Sequence, residues 1–155
     1  MMSSSAANKQ LVRRYVDEVW NRGELGALDR YVGADYVFVP PDGTPPIRGP
    51  EGLRRHVGAM RRALHGLVMR IECMVAEGDR VAWSWTMTGV HAGPGLGPPT
   101  GRRVATRGVA IYRIAGGRIV ERGGEADVLG LLTQLGLLPP LAEVERSLHG
   151  RGAAG

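Results

Sequence analysis

Residues 80–91 read RVAWSWTMTGVH, and this stretch decides the fold. Large apolar side chains alternate with small or polar ones throughout, which is typical of a β-strand with one buried face. The alternation puts six residues on one side: Val81, Trp83, Trp85, Met87, Gly89 and His91. Such a face is either the wall of a pocket, ordinary core or an oligomer interface, and periodicity alone leaves all three open.

Further strands surround this one. The sequence predicts strands over residues 67–77, 102–114 and 118–125, joined to each other and to 80–91 by EGDR, AGPGLGPPTG and AGG. Residues 35–39, DYVFV, form an earlier strand that a Pro-Gly cluster stops. In the strand over 102–114, either face could line a pocket.

Helices precede and follow the strands. Apolar spacing predicts a helix over residues 8–22, a short one over 24–31, one from about Pro50 to Gly66 and a last one from about Asp127 to Gly136. Helices followed by consecutive strands with short turns are an α+β pattern, not a βαβ repeat. Because the strands are long, their sheet should curl. We therefore predict an α+β fold in which helices close a cone-shaped pocket over a curved antiparallel sheet.

The chain of 155 residues fits one domain over residues 8–139, with a disordered leader at 1–7 and a polar tail at 140–155. No apolar run could span a membrane and the N-terminus lacks a secretory pattern, so we expect a cytoplasmic protein without a membrane partner. The net charge is +5, but the arginines are scattered rather than concentrated in a stripe. We therefore expect no nucleic-acid partner.

The sequence shows no pattern for binding a metal or a nucleotide. Cys73 is the single cysteine, and the four histidines, at 56, 65, 91 and 149, lack metal-ligand spacing. GPGLGPP lies outside the strand-to-helix context of a phosphate loop. We expect no metal. His56 and His65, on or at the end of the third helix, are interpreted as packed or surface residues.

Four stretches resemble the SnoaL-like polyketide cyclases of the nuclear-transport-factor-two-like superfamily: RGPEGLRRHV, EGDRVAWSWTMTGVHAGP, PPTGRRVATRGVAIYRIAGGRIVE and ADVLGLLTQLGLLP. The resemblance covers about residues 8–139. It implies the nuclear-transport-factor-two-like barrel and a homodimer or higher homo-oligomer through the outer face of the sheet. It also implies a cyclase that needs no cofactor and acts on a hydrophobic, polyketide-type secondary metabolite.

The resemblance implies that Asp127 is the general acid/base of an intramolecular aldol condensation. Asp127 would remove a proton from a carbon flanked by carbonyls and return it to the new alkoxide. His91 matches a histidine frequent in the family and is the second implied catalytic residue. Asp127 also precedes VLGLLTQL, where a helix N-cap belongs. The capping role and the catalytic role both stay open.

One departure from the family lies at the end of the last strand, where Glu121, Arg122 and Gly123 replace Glu-His-Trp. The glycine is expected to widen the pocket, and the loss of histidine removes a group that would position substrate. For most of the candidate substrate-binding residues, core packing is the alternative, and for Arg107 it is the surface. They are Tyr15, Trp20, Tyr36, Phe38, Trp83, Trp85, Met87, Arg107 and Glu125.

Three other functions remain open. Pocket shape alone could drive a cycloaddition or an ether closure. An epoxide hydrolase would need Asp127 together with partners such as Glu125 and Arg107 to activate water. A non-catalytic module would bind ligand without turnover. An acyl carrier protein is a candidate partner if the substrate arrives tethered, with the arginine-rich third helix as its docking face.

Overall fold

The computed structural model describes residues 4–151. Helix α1, Ser5–Tyr15, continues into a π-helical segment, Val16–Asn21, and a short 3-10 turn, Leu25–Ala27, leads into α2, Leu28–Tyr31. The remaining helices are α3, Gly49–Ala63, α4, Val128–Gln134, and α5, Leu141–Arg151. Gly23 separates the first two helical segments, and its φ of +73° is easily reached only without a Cβ.

Six strands form one curved, unclosed sheet: β1 Val32–Phe38, β2 Ile47–Arg48, β3 Leu64–Glu77, β4 Arg80–His91, β5 Arg103–Ala115 and β6 Arg118–Ala126. Their order across the sheet is β2-β1-β6-β5-β4-β3. Strands β3 to β6 pair antiparallel in sequence order, which confirms the predicted α+β architecture.

The pairing of β1 is the main feature that the sequence pattern did not indicate. Strand β1 lies parallel to β6, so Phe38 is the register partner of Arg122. Alternation identifies a strand but not its neighbour, and the long connection through α3 lets β1 reach the far side of the sheet. The two-residue strand β2 pairs with the end of β1 and was also missed.

The inner face of the sheet is now defined. On β4 it carries the buried side chains of Val81, Trp83, Trp85, Met87 and His91, as predicted. On β5 it carries Val104, Thr106, Ala110 and Tyr112, whereas Arg103, Ala105, Arg107 and Val109 are exposed. The helices therefore cover the face that bears both central tryptophans of β4.

A paired hydrogen bond anchors the first helical segment to the sheet. The Asn21 side chain accepts from the Met69 N–H at 2.7 Å and donates to the Met69 carbonyl at 3.0 Å. Because both backbone groups lie on the edge strand β3, one amide satisfies a donor and an acceptor that would otherwise lack a strand partner. The cavity wall formed by Trp20 and Met69 is positioned by this contact.

The start of the chain differs from the prediction, and the predicted tail contains a helix. Helix α1 begins at Ser5, because the Ser4 hydroxyl accepts a hydrogen bond from Ala7 N–H and caps it, so residues 5–7 are not a disordered leader. Residues 141–151 of the predicted tail form α5, whose side chains are exposed as far as they are described. Residues 1–3 and 152–155 lie outside the described part of the chain.

No helix within residues 4–151 has both the length and the apolar character that crossing a bilayer requires.

Candidate functional site

A cavity of about 640 Å³ lies between the inner face of the sheet and the helices. Its wall is mainly aromatic and sulfur-containing: Trp20, Phe38, Met60, Met69, Trp83, Trp85, Met87 and Tyr112. The exposed residues that line it form its rim, among them Pro41, Asp42, Thr44, Pro46, Arg48 and Arg55. The chain's three tryptophans all line this cavity, so intrinsic fluorescence reports directly on a bound ligand.

Arg122 is the cation in the inner wall of this cavity. Strand alternation turns Glu121 outward to Arg113, at 2.9 Å, and turns Arg122 inward between its register partners Phe38 and Tyr112. Its guanidinium carbon lies 4.2 Å from the centroid of the Phe38 ring, in cation–π contact. Its Nε is buried without a hydrogen-bond partner, and Arg122 forms no ion pair within the described residues.

The buried tyrosine hydroxyls of the core near Arg122 are neutral. Burial raises the pKa of Tyr36 and of Tyr112, and the positive charge of Arg122 offsets only part of each rise. Tyr15 is likewise buried, with its pKa raised, and its hydroxyl accepts from Trp20 Nε1 at 3.0 Å. No tyrosinate forms at neutral pH, so these hydroxyls supply no counter-charge to the guanidinium.

His56 lies on α3 and faces the same cavity. Its ring meets Trp20 edge to face, with centroids 6.1 Å apart. Burial, and then the charge of Arg122, lower the pKa of His56 to about 4. The imidazole is therefore neutral at physiological pH and retains an unprotonated nitrogen.

Carboxylates are nearly absent from the described cavity wall. Asp42, at the rim, is the single acidic residue in it. It accepts from Thr44 N–H at 3.0 Å and from the Thr44 hydroxyl at 2.8 Å, and these bonds lower its pKa. The Asp42 Oδ1 atom is occupied by these two bonds, and the side chain lies at the exposed rim rather than in the inner wall. No cluster of three or more His, Cys, Asp or Glu side chains suited to a metal occurs in residues 4–151.

Comparison with known proteins assigns the chain to a family. The model of the SnoaL-like polyketide cyclases matches residues 10–135. The chain belongs to this family. No curated protein sequence matches the chain.

Solved structures agree with this SnoaL-like assignment. TsrD from Streptomyces laurentii is 30% identical over 88% of this chain and 99% of its own, with a TM-score of 0.78. AclR from Streptomyces galilaeus, a proposed hydroxylase, is 29% identical over 97% and 95%, with a TM-score of 0.79. IdmH from Streptomyces antibioticus, a proposed polyketide cyclase, is 25% identical over 83% and 98%, with a TM-score of 0.73.

Asp127, the acid/base that the SnoaL-like resemblance implied, lies outside this cavity wall. Its carboxylate is exposed and accepts from Gly130 N–H at 2.8 Å, as the N-cap of α4. The Asp127 carbonyl accepts from the Thr106 hydroxyl at 3.1 Å, which ties the start of α4 to β5. The neighbours Ala126 and Val128 line the cavity, but the carboxylate points to the helix end.

We predict that Asp127→Asn retains enzymatic activity within about threefold, far from the 10²-fold or larger loss expected of a general base. Asparagine caps helices as well as aspartate does, whereas Asp127→Ala should lower the free energy of unfolding by about 1 kcal/mol. Urea denaturation and the activity assay below measure both variants. A hundredfold loss of activity in a stably folded Asp127→Asn variant would return the catalytic role to this residue.

The other residues predicted for the SnoaL-like site divide into two groups. Trp20, Phe38, Trp83, Trp85 and Met87 line the cavity. Four others do not: Tyr15 and Tyr36 are packed behind the wall, and Arg107 and Glu125 are exposed on the outer face of the sheet. Strand alternation turns Arg107 and Glu125 away from the cavity, and Tyr15, at the end of α1, is buried in the core with Tyr36, so a substrate-binding role for these four stays a prediction that the lining of the cavity does not favour.

His91 has a structural role in this SnoaL-like fold. It is completely buried, and its Nε2 lies 2.7 Å from the Gly95 carbonyl, which only accepts, so Nε2 carries the proton. Its Nδ1 lies 3.1 Å from the Thr100 hydroxyl oxygen. His91 thus braces the loop between β4 and β5, which contributes Leu96 to the cavity, and is not itself in the wall.

Sequence reasoning missed Arg122 and His56 as site residues. Signals for both were present. Arg122 alternates with outward-facing Glu121, and His56 lies three residues after Leu53 and four before Met60, on the apolar face of its helix. The expected widening by Gly123 is wrong: Gly123 is exposed on the outer face, opposite the exposed Ile111.

Proposed function

We propose that this chain is a cofactor-independent cyclase that closes a ring in a polyketide-type polycarbonyl substrate by intramolecular aldol condensation. Membership of the SnoaL-like family supports a cyclase or a related activity. One observation carries the specific reaction: the cavity wall holds a guanidinium, Arg122, with no carboxylate partner among the described residues.

An unpaired cation in an apolar wall is unfavourable until an opposite charge arrives. In an aldol condensation, negative charge develops on oxygen twice, first on the enolate and then on the alkoxide. Arg122 can donate to such an oxygen from a fixed position, because Phe38 and Tyr112 hold it on both sides. Preorganised donors of this kind contribute about 10²–10³-fold in rate when they act on an oxyanion.

The remaining wall favours folding of the substrate over solvation of its carbonyls. Aromatic rings and methionines surround a volume that fits a small organic molecule. Holding two carbonyl segments of one molecule together replaces a bimolecular encounter and contributes much of the barrier reduction. The Trp83 side chain also lines this space, and its Nε1 is buried without a hydrogen-bond partner.

The arrangement does not favour the epoxide hydrolase considered from the sequence. That mechanism requires an inward carboxylate to activate water. Glu125 and Arg107 lie on the outer face, and Asp42 at the rim is held by Thr44. The described wall therefore lacks the acid/base set that epoxide opening needs.

The test uses a naphthyl-substituted 1,5-diketone, whose aldol ring closure with loss of water gives a conjugated cyclohexenone. We expect purified protein to form this product, lighter by one water and detected by absorbance and mass, faster than buffer or heat-denatured protein. Formation at the buffer rate only would contradict the proposal. Incubation with an aryl epoxide runs in parallel, and a gain of water there would favour the hydrolase.

We also propose that the chain is a homo-oligomer through the outer face of its sheet. Four apolar side chains are exposed there, at fractions of 42–62%: Val68, Val75, Val109 and Ile111. An acidic carrier protein at the arginines of α3 remains a proposal for substrate delivery.

A further inference from the structure

We infer that His56 is the general base of this ring closure, the role that the sequence pattern gave to Asp127. The inference rests on the proposed function and names the residue that moves the proton within it. Its basis is position. The inner part of the described wall holds three titratable side chains, which are His56, Arg122 and Tyr112.

The helix and one ring contact position the imidazole. Helix α3 turns His56 toward the cavity together with Met60, and the edge-to-face contact with Trp20 restricts the ring. Within the described residues the His56 ring makes no hydrogen bond, so its nitrogens are not committed to another group. A base must be both unoccupied and within reach of substrate, and His56 meets both conditions.

The neutral state of His56 follows from its surroundings. Burial and the charge of Arg122 lower its pKa to about 4, so the ring is unprotonated at neutral pH. The other charged groups of the wall, Arg48, Arg55 and Asp42, lie at the exposed rim. Protonation of His56 beside Arg122 alone is opposed by charge repulsion.

The same pair becomes favourable as the reaction proceeds. When a proton leaves the substrate for His56, a negative charge appears on the enolate oxygen, and Arg122 binds that oxygen. The charge of Arg122 is then compensated, so its share of the lowering of the His56 pKa is removed while the proton is being transferred, and the larger share, from burial, remains. The pair thus stabilises the transition state more than the ground state, as catalysis requires.

The proposed ring closure needs no co-reactant. The imidazole nitrogen takes a proton from the carbon next to a carbonyl, and the C–H electron pair becomes the enolate. The enolate carbon forms a bond to the second carbonyl carbon, whose π pair moves to oxygen as an alkoxide. The imidazolium of His56 returns its proton to that alkoxide. The product is an isomer of the substrate, which then loses water where conjugation favours it.

The experiment measures His56→Ala with the naphthyl diketone. We expect kcat to fall by about 10²-fold or more, while the dissociation constant, read from tryptophan fluorescence, changes by less than about tenfold. Free imidazole fits the space that alanine leaves and should restore at least about tenfold of the lost rate. His65→Ala is the matched control, since His65 is exposed on β3 and does not line the cavity.

Three results would overturn the inference. If wild-type protein forms no product above the buffer rate, the proposed function fails and the inference with it. If wild type is active and a folded His56→Ala variant retains more than about a tenth of its rate, the inference alone fails. If probe binding is lost and imidazole restores nothing, His56 only shapes the wall. Should His56→Ala lose cooperative melting, His56→Gln, of similar length, replaces it with the same expected loss of kcat.

Discussion

Replacement of Arg122 by methionine is expected to lower kcat/KM for ring closure of the naphthyl diketone by about 10²–10³-fold. Methionine keeps the unbranched stem that packs between Phe38 and Tyr112 but removes every donor. The enolate and alkoxide oxygens then lose the positive charge that faces them. The kcat/KM of Arg122→Lys should lie between those of the wild type and Arg122→Met, because an ammonium keeps the charge without the planar fork of donors.

The stability of Arg122→Met should not fall with its activity. The substitution removes a cation that is half-buried without a counter-ion, and this gain opposes the loss of about 0.5–1 kcal/mol of cation–π contact with Phe38. We therefore expect an unchanged or higher melting temperature. Arg103→Met, on the exposed face of β5, is the control and should retain full activity. An Arg122→Met variant that is both active and less stable would assign the guanidinium a purely structural role.

A third readout of the same variant is the titration of His56. Since the charge of Arg122 is the second cause of its low pKa, Arg122→Met should raise the pKa of His56 from about 4, while burial still keeps it below the usual value. NMR titration of the imidazole measures this shift. It tests the interaction between the two residues without any substrate.

One strand alone indicated three residues of the cavity wall. Alternation in β4 places Trp83, Trp85 and Met87 on the buried face without reference to any other element, because side-chain direction in a strand has a period of two residues. The same rule leaves the choice of face open in β5. The buried face is the one that the helices cover, and Arg107 lies on the other face and is exposed.

The sequence signals for Arg122 and His56 indicated which way these side chains face but not what surrounds them, because their surroundings depend on pairing between distant segments. The parallel pairing of β1 with β6 brings Phe38 beside Arg122. His56 acquires its neutral state from burial and from a residue 66 positions later in the chain. For Asp127 the sequence left two roles open, because an N-cap and a general base call for the same residue type, and the structure shows the hydrogen bond from Gly130 that the cap requires.

Two adjacent glycines of β6, Gly123 and Gly124, differ in the space that a side chain would have. At Gly124 the backbone φ is +128°, and a Cβ would overlap the Val109 carbonyl oxygen and lie 2.8 Å from the Ala110 Cα. At Gly123 a Cβ would meet nothing within 4 Å. Gly124, not Gly123, therefore permits the close approach of β6 to β5 that presents Arg122 to the cavity.

We expect Gly124→Ala to lower the free energy of unfolding by about 2–4 kcal/mol, because backbone strain and overlap with β5 act together. Gly123→Ala should change it by less than about 1 kcal/mol and in the stabilising direction, since alanine restricts the unfolded chain more than glycine does. Urea denaturation measures the free energy of unfolding of both variants. Each adds one methyl group to β6, so the difference between them excludes that shared effect. Equal stability of the two would contradict the close packing of β6 on β5. A loss confined to Gly124→Ala would show that the last strand owes its path, and Arg122 its position, to the absence of one Cβ.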